Sequence, residues 1–212
     1  MAKRQAAKQT GRAEKLEEFR RTQEKANRNK RIGLFAGGTA VVVVIALIAF
    51  LATSGGSKAA PKNAVIAGVQ TFPGLSTTHV NGPVKYAQTP PVGGDHSPVW
   101  LNCATYSQPV PNENAVHSLE HGAVWVTYDP TVVTGAQLDS LRKLIPQTYA
   151  ILSPFPGLPA PIVASAWGVQ LKVTSPTDPR ISEFIAKYRE SKSAPEPGSP
   201  CTGGIDGPGK LS

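Results

Sequence analysis

Methionine is all but missing from this chain: the single residue is Met1. That removes the thioether ligands on which a Met-rich Cu(I) carrier depends. Cysteine is scarce as well. Cys103 and Cys201 are the only two, and they form no C-x-x-C, so a thioredoxin-like redox role has no support. None falls between Phe50 and Ser57, which leaves a lipid anchor without an attachment point there. Proline, 20 residues in all, is absent before Pro61, and charge is absent from Ile32 to Thr53. Histidine is confined to residues 79–121.

These gaps divide the chain. The net charge of +8 resembles a nucleic-acid signal until it is mapped. Residues 1–31 carry eleven Lys and Arg against four acids, whereas residues 32–212 carry eleven against ten. The basic character therefore belongs to the N-terminal tail, which has no nucleic-acid motif, and no nucleic-acid partner is expected. The uncharged stretch 32–53, with Val41 to Ile48 at its centre, meets the roughly 20 residues a helix needs to cross a bilayer. Arg28, Lys30 and Arg31 precede it and only Lys58 and Lys62 follow closely, so the positive-inside rule places the N-terminus in the cytoplasm. A cleaved signal peptide would have a shorter apolar core and a small-x-small site, and neither is seen.

The expected organisation is a cytoplasmic basic tail (1–31), a lipid-contacting transmembrane helix (32–53), a flexible spacer (54–63), an extracytoplasmic α+β domain (64–192) and a Pro/Gly-rich tail (193–212). The pairs Glu17–Arg21 and Glu24–Arg28 have helical i,i+4 spacing, which suits a juxtamembrane helix near anionic headgroups. The expected location is the cell membrane, as a single-pass protein.

The outer domain is read in two halves. Up to residue 120 it is rich in Pro, Gly and Asn and predicts short strands among structured loops. Beyond that, Ala123–Tyr128 predicts a strand. Thr134 and Gln137 form a capping-box spelling ahead of Leu138, Leu141 and Ile145, with Pro146 as the stop. Thr148–Leu152, Ile162–Trp167 and the alternating Val169, Leu171 and Val173 predict three further strands. Asp178 followed by Pro179 opens a helix whose buried stripe is Ile181, Phe184, Ile185 and Tyr188. The order is β-α-β-β-β-α. Trp100, Trp125 and Trp167 are assigned to the core. An oxidising compartment and an even count predict a Cys103–Cys201 disulfide. The rival is Cys103 as a thiolate metal ligand with Cys201 unpaired.

The four histidines, His79, His96, His117 and His121, carry the functional argument. His117 and His121 stand at i and i+4 with Glu120 between them, on a short helix that Gly122 would end. Imidazole clusters with carboxylates suit Cu(II) or Zn(II). The proposed ligand set is His79, His96, His117, His121 and Glu120, with Asp95 and Glu120 able to orient a ring instead. Two other readings stand beside it. In one, the histidines are structural, hydrogen-bonded to loop backbone in a non-catalytic envelope interaction module with an envelope protein as partner. In the other, His117-Ser118-Leu119-Glu120-His121 spells H-x-x-E-H, the zinc-hydrolase motif in which Glu120 is the general base. That reading requires a third, carboxylate ligand, for which Glu183 and Glu190 are candidates.

The run His79-Val80, Gly82, Val84, Tyr86, Pro90-Pro91, Gly93, His96, Trp100, Cys103, Tyr106 and Val116 to Val124 resembles a bacterial membrane family, common in actinobacteria and catalogued as a domain of unknown function. The resemblance spans roughly residues 60–190. Ala104 stands where that family has Gly. It implies the same basic tail, single span and outer domain, and it implies that His79, His96, His117, Glu120 and His121 belong to the shared motif. No activity comes with it.

Overall fold

The computed structural model describes residues 65–211, together with Arg21, which is helical. The predicted span 32–53, the spacer 54–63 and the rest of the basic tail lie outside the described residues. Among the described residues no helix is long and apolar enough to cross a membrane.

The domain is α+β, with five strands and three helices: β1 (Val69–Thr71), α1 (Asn112–Glu120), β2 (Val124–Tyr128), α2 (Gly135–Arg142), β3 (Ala150–Pro154), β4 (Ile162–Ala166), β5 (Val169–Val173) and α3 (Pro179–Tyr188). One sheet contains all the strands in the order β1-β5-β4-β2-β3. β2 and β3 pair in parallel, with Val126 opposite Leu152, and α2 makes the crossover that parallel strands require. The remaining pairs are antiparallel, Val126 lying opposite Ala164 and Ala164 opposite Leu171. The predicted β-α-β-β-β-α order thus corresponds to β2 through α3.

Every residue of β2, β3 and β4 is buried because both faces of the sheet are covered. Alternation along β2 sends Val124, Val126 and Tyr128 to one side, where Leu141 of α2 and Ile181, Phe184 and Ile185 of α3 close the core. Trp125 points to the other side. There it packs with Leu101, Tyr106, Leu119 of α1 and Ile151, and its indole N–H donates to the Ser153 hydroxyl at 3.0 Å.

The helix ends show which local signals were obeyed. Asp178 caps α3, accepting from the Arg180 amide at 3.0 Å, and Pro179 takes the first position. The Thr134 capping box does not form. Thr134 is the N-cap residue, but its hydroxyl accepts no capping bond. The reason is Gly135, which enters α2 at φ +51°; the Gln137 amide then bonds the Thr134 carbonyl at 3.1 Å instead.

The C-terminal Pro/Gly-rich segment lies against the loop-rich half of the domain. Cys103 and Cys201 are joined, with Cα atoms 5.4 Å apart, so Cys103 is not a free thiolate. Beyond the disulfide, the Asn102 amide donates to the Ile205 carbonyl and the Ser107 amide to that of Gly209, both at 2.8 Å. The bond closes a loop across a separation of 98 residues. In the chain-entropy picture it stabilises the fold by about 4–5 kcal/mol. Replacing both cysteines by serine should therefore lower the unfolding free energy by about that much in a denaturant titration. A loss near zero would mean that the segment is held by its backbone hydrogen bonds alone.

Candidate metal centre

Helix α1 supplies three of the candidate residues, His117 and Glu120 from its last turns and His121 at its C-cap. Its end is closed by two reverse bonds: Gly122 donates to the Leu119 carbonyl at 3.0 Å and Ala123 to that of Ser118 at 2.9 Å. This pattern requires a left-handed residue, and Gly122 has φ +96°. A side chain there would also meet the Glu190 backbone, 3.1 Å from an added Cβ. The stop sign foreseen at Gly122 thus fixes where the His117/His121 pair faces.

The other two histidines come from loops drawn together by backbone bonds. His79 and His96 form an isolated parallel bridge: the Val80 amide donates to the His96 carbonyl at 2.7 Å, and the His96 amide to that of Thr78 at 3.1 Å. The first turn of α1 holds both loops. The Glu113 carboxylate accepts from the Val84 amide at 2.9 Å, and the Asn114 amide group donates to the Ser97 hydroxyl and the Val99 carbonyl.

The result is a buried convergence. His79, His96, His117 and Glu120 each present one ligand atom, and these atoms all lie within 4.8 Å of one another. His96 Nε2 is 2.9 Å and His79 Nε2 is 3.4 Å from Glu120 Oε2. His117 Nε2 lies 2.9 Å from His121 Nε2. His79, with 45% of its side chain exposed, forms the solvent side; the other three histidines and Glu120 are buried.

Tautomers follow from the partners. The Nδ1 atom of His96 is 2.7 Å from the Gly94 carbonyl, that of His117 is 2.6 Å from Ser97, and that of His121 is 2.7 Å from Pro200. A carbonyl oxygen only accepts, so each Nδ1 carries the hydrogen. In the neutral rings each Nε2 is then a bare lone pair. Two lone pairs meet between His117 and His121, and a lone pair meets a carboxylate between His96 and Glu120. Each meeting is a place where a cation, a metal ion or a proton, can sit between the partners. Backbone acceptors that fix the tautomer in this way are what orient imidazole ligands in metal sites.

Burial pushes the His117 imidazole below its ordinary value, opposed by its bond to the Ser97 carbonyl and reinforced by the neighbouring histidines. The ring is thereby held toward the neutral form that a metal takes.

Several sequence expectations fall elsewhere. His121 touches His117 but lies outside the four-residue group. Neither Glu183 nor Glu190 belongs to that group, and Glu190 lies 3.6 Å from the Arg189 guanidinium. Asp95 offers its carbonyl to the Tyr86 hydroxyl, while Gly94 orients His96. Of the tryptophans, Trp125 is core and Trp167 packs against the same core while its ring stands 5.8 Å from His96, but the Trp100 ring stands 5.2 Å from His121. Sequence reasoning missed Glu196, whose carboxylate is 3.7 Å from His121 Nε2. No pattern in the Pro/Gly-rich segment signals it; its place comes from the return of that segment to α1.

The family model described as "Protein of unknown function (DUF3105)" matches residues 78–203. The chain belongs to this family. The DUF3105 segment begins one residue before His79 and ends two beyond Cys201, so the whole cluster, its orienting carbonyls and the disulfide lie inside it. No curated protein and no solved structure matches the chain.

A base whose folded value lies below its unfolded one is protonated first in the unfolded chain. The stability His117 contributes is therefore complete above about pH 6.5 and is lost as the pH falls below it. Denaturant unfolding of the metal-free protein should show this decline as the pH falls below about 6.5, shallower in His117→Asn. Equal stability of both proteins across that range would contradict it.

Proposed function

We propose that this DUF3105 protein is a membrane-anchored cell-envelope protein whose outer domain binds a transition metal ion, copper or zinc, through His79, His96, His117 and Glu120. One observation carries the proposal: four ligand atoms from two loops and one helix converge within 4.8 Å, three of them buried. Imidazole and carboxylate donors with both cysteines oxidised suit Cu(II) or Zn(II) rather than Cu(I). The anchored topology is supported by the uncharged run 32–53 and its basic flank, with lipid and anionic headgroups as the contacts. A disulfide also suits an oxidising compartment. The role that follows is metal handling or sensing at the cell surface, beside an envelope protein partner.

The structural-histidine reading accounts for the Nδ1 contacts, which tie the 94–97 loop and the C-terminal segment to the end of α1, but gives the facing Nε2 atoms no role beyond sharing a proton. The hydrolase reading needs Glu120 free beside an open coordination position, whereas Glu120 is buried against His96.

Elemental analysis of the full-length chain, purified without a histidine tag, should find at least one bound copper or zinc ion. His79→Ala, at the exposed ligand, should weaken binding by about 10-fold or more with the fold intact. His96→Ala with His117→Ala should abolish it. A native protein that carries no ion and takes up neither added copper nor added zinc would end the proposal and leave an envelope interaction module.

A further inference from the structure

The residues around the cluster number six rather than four, and they fall into two matching sets. In the first, His79 Nε2 and His96 Nε2 flank the Glu120 carboxylate at 3.4 and 2.9 Å. In the second, His121 Nε2 lies 2.9 Å from His117 Nε2 and 3.7 Å from the Glu196 carboxylate. Each set is two imidazoles and one carboxylate, a donor combination that leaves coordination positions open. The sets adjoin, since the His79 and His117 rings stack with centroids 4.8 Å apart.

Glu196 is built into the site. Its amide donates to the carbonyl of Glu120, which supplies the carboxylate of the first set, at 3.0 Å. Two residues on, the Gly198 amide donates to the His121 carbonyl at 3.1 Å. The Tyr149 hydroxyl reaches the Gly198 and Ser199 carbonyls, and the Cys103–Cys201 disulfide closes the segment. The same segment provides the Pro200 carbonyl that sets the His121 tautomer.

We infer that the domain holds two divalent cations, one on His79, His96 and Glu120 and a second on His117, His121 and Glu196. The inference rests on the metal reading proposed above and extends it from one ion to two. His117 is the shared residue: its Nε2 lies within reach of the first set in the singly loaded protein and already faces His121 Nε2, with which it holds the second ion. Two nitrogens bound to one zinc at about 2.0–2.1 Å with tetrahedral angles stand roughly 3.3 Å apart, so the His117–His121 pair needs to open by only a few tenths of an ångström. Repulsion between the ions is reduced by the two carboxylates and by solvent at Glu196, 53% of whose side chain is exposed. Paired ions of this kind sit about 3.5–4 Å apart and take water or a small oxyanion between them.

The full-length chain should be titrated with Zn(II) by calorimetry and loaded with Cu(II) for electron paramagnetic resonance. Two ions per chain are expected, the first tighter than the second. Glu196→Gln, at an exposed carboxylate, should keep the first ion and weaken the second at least about 10-fold. At two equivalents of Cu(II) the signal should be broadened and diminished by coupling, and Glu196→Gln should restore the isolated signal. Saturation at one ion per chain, or a second ion indifferent to Glu196→Gln, would overturn the inference and leave the single-ion proposal standing. No uptake of either ion would remove both.

Discussion

Three buried rings in this domain commit their Nδ1 hydrogens to backbone carbonyls, of Gly94, Ser97 and Pro200. A buried imidazole left without such a partner would cost about 1–3 kcal/mol. The Gly94 bond sets the His96 ring within its own loop, and the other two join that loop and the C-terminal segment to the end of α1. Once these bonds are made, the Nε2 atoms have nowhere to turn but inward. The function proposed here depends on that second consequence, a set of lone pairs and a carboxylate facing one another where water is largely excluded.

The sheet provides the platform. α2 and α3 cover one face, which leaves the other free to carry α1 with its last turn buried. Trp125 and Leu119 meet in that second core, so the helix bearing His117 and Glu120 is seated on β2. The disulfide acts on the same face. By fixing Cys201 to Cys103 it holds the Pro200 carbonyl at His121 and Glu196 beside it. Packing, covalent closure and site geometry are therefore one arrangement, and a change at the C-terminal segment is felt at a histidine 79 residues away.

What could be read in the sequence was local chemistry. Asp178-Pro179 opened α3 as its residue types require, and Gly122 ended α1 because only a left-handed residue completes that cap. The valine- and aromatic-rich run in β2 and the alternation in β5 were strand patterns of the ordinary kind. The Thr134 spelling misled because Gly135 next to it takes a positive φ, which a capping box does not anticipate. In the candidate site, the i,i+4 pair on α1 was visible. The approach of His79 and His96 depends on a single bridge between loops and has no periodicity to betray it. Glu196 was out of reach for a similar reason: a half-exposed acid in a Pro/Gly-rich stretch gains meaning only when the chain returns to α1.

The tautomers of the buried rings test the central claim most directly. Long-range proton–nitrogen correlation spectra of the metal-free, nitrogen-15-labelled full chain report which ring nitrogen carries the hydrogen. The account predicts that His96, His117 and His121 are protonated at Nδ1, and that added Zn(II) shifts their Nε2 resonances while leaving Nδ1 protonated. Rings protonated at Nε2 alone, with resonances unmoved by Zn(II), would contradict it.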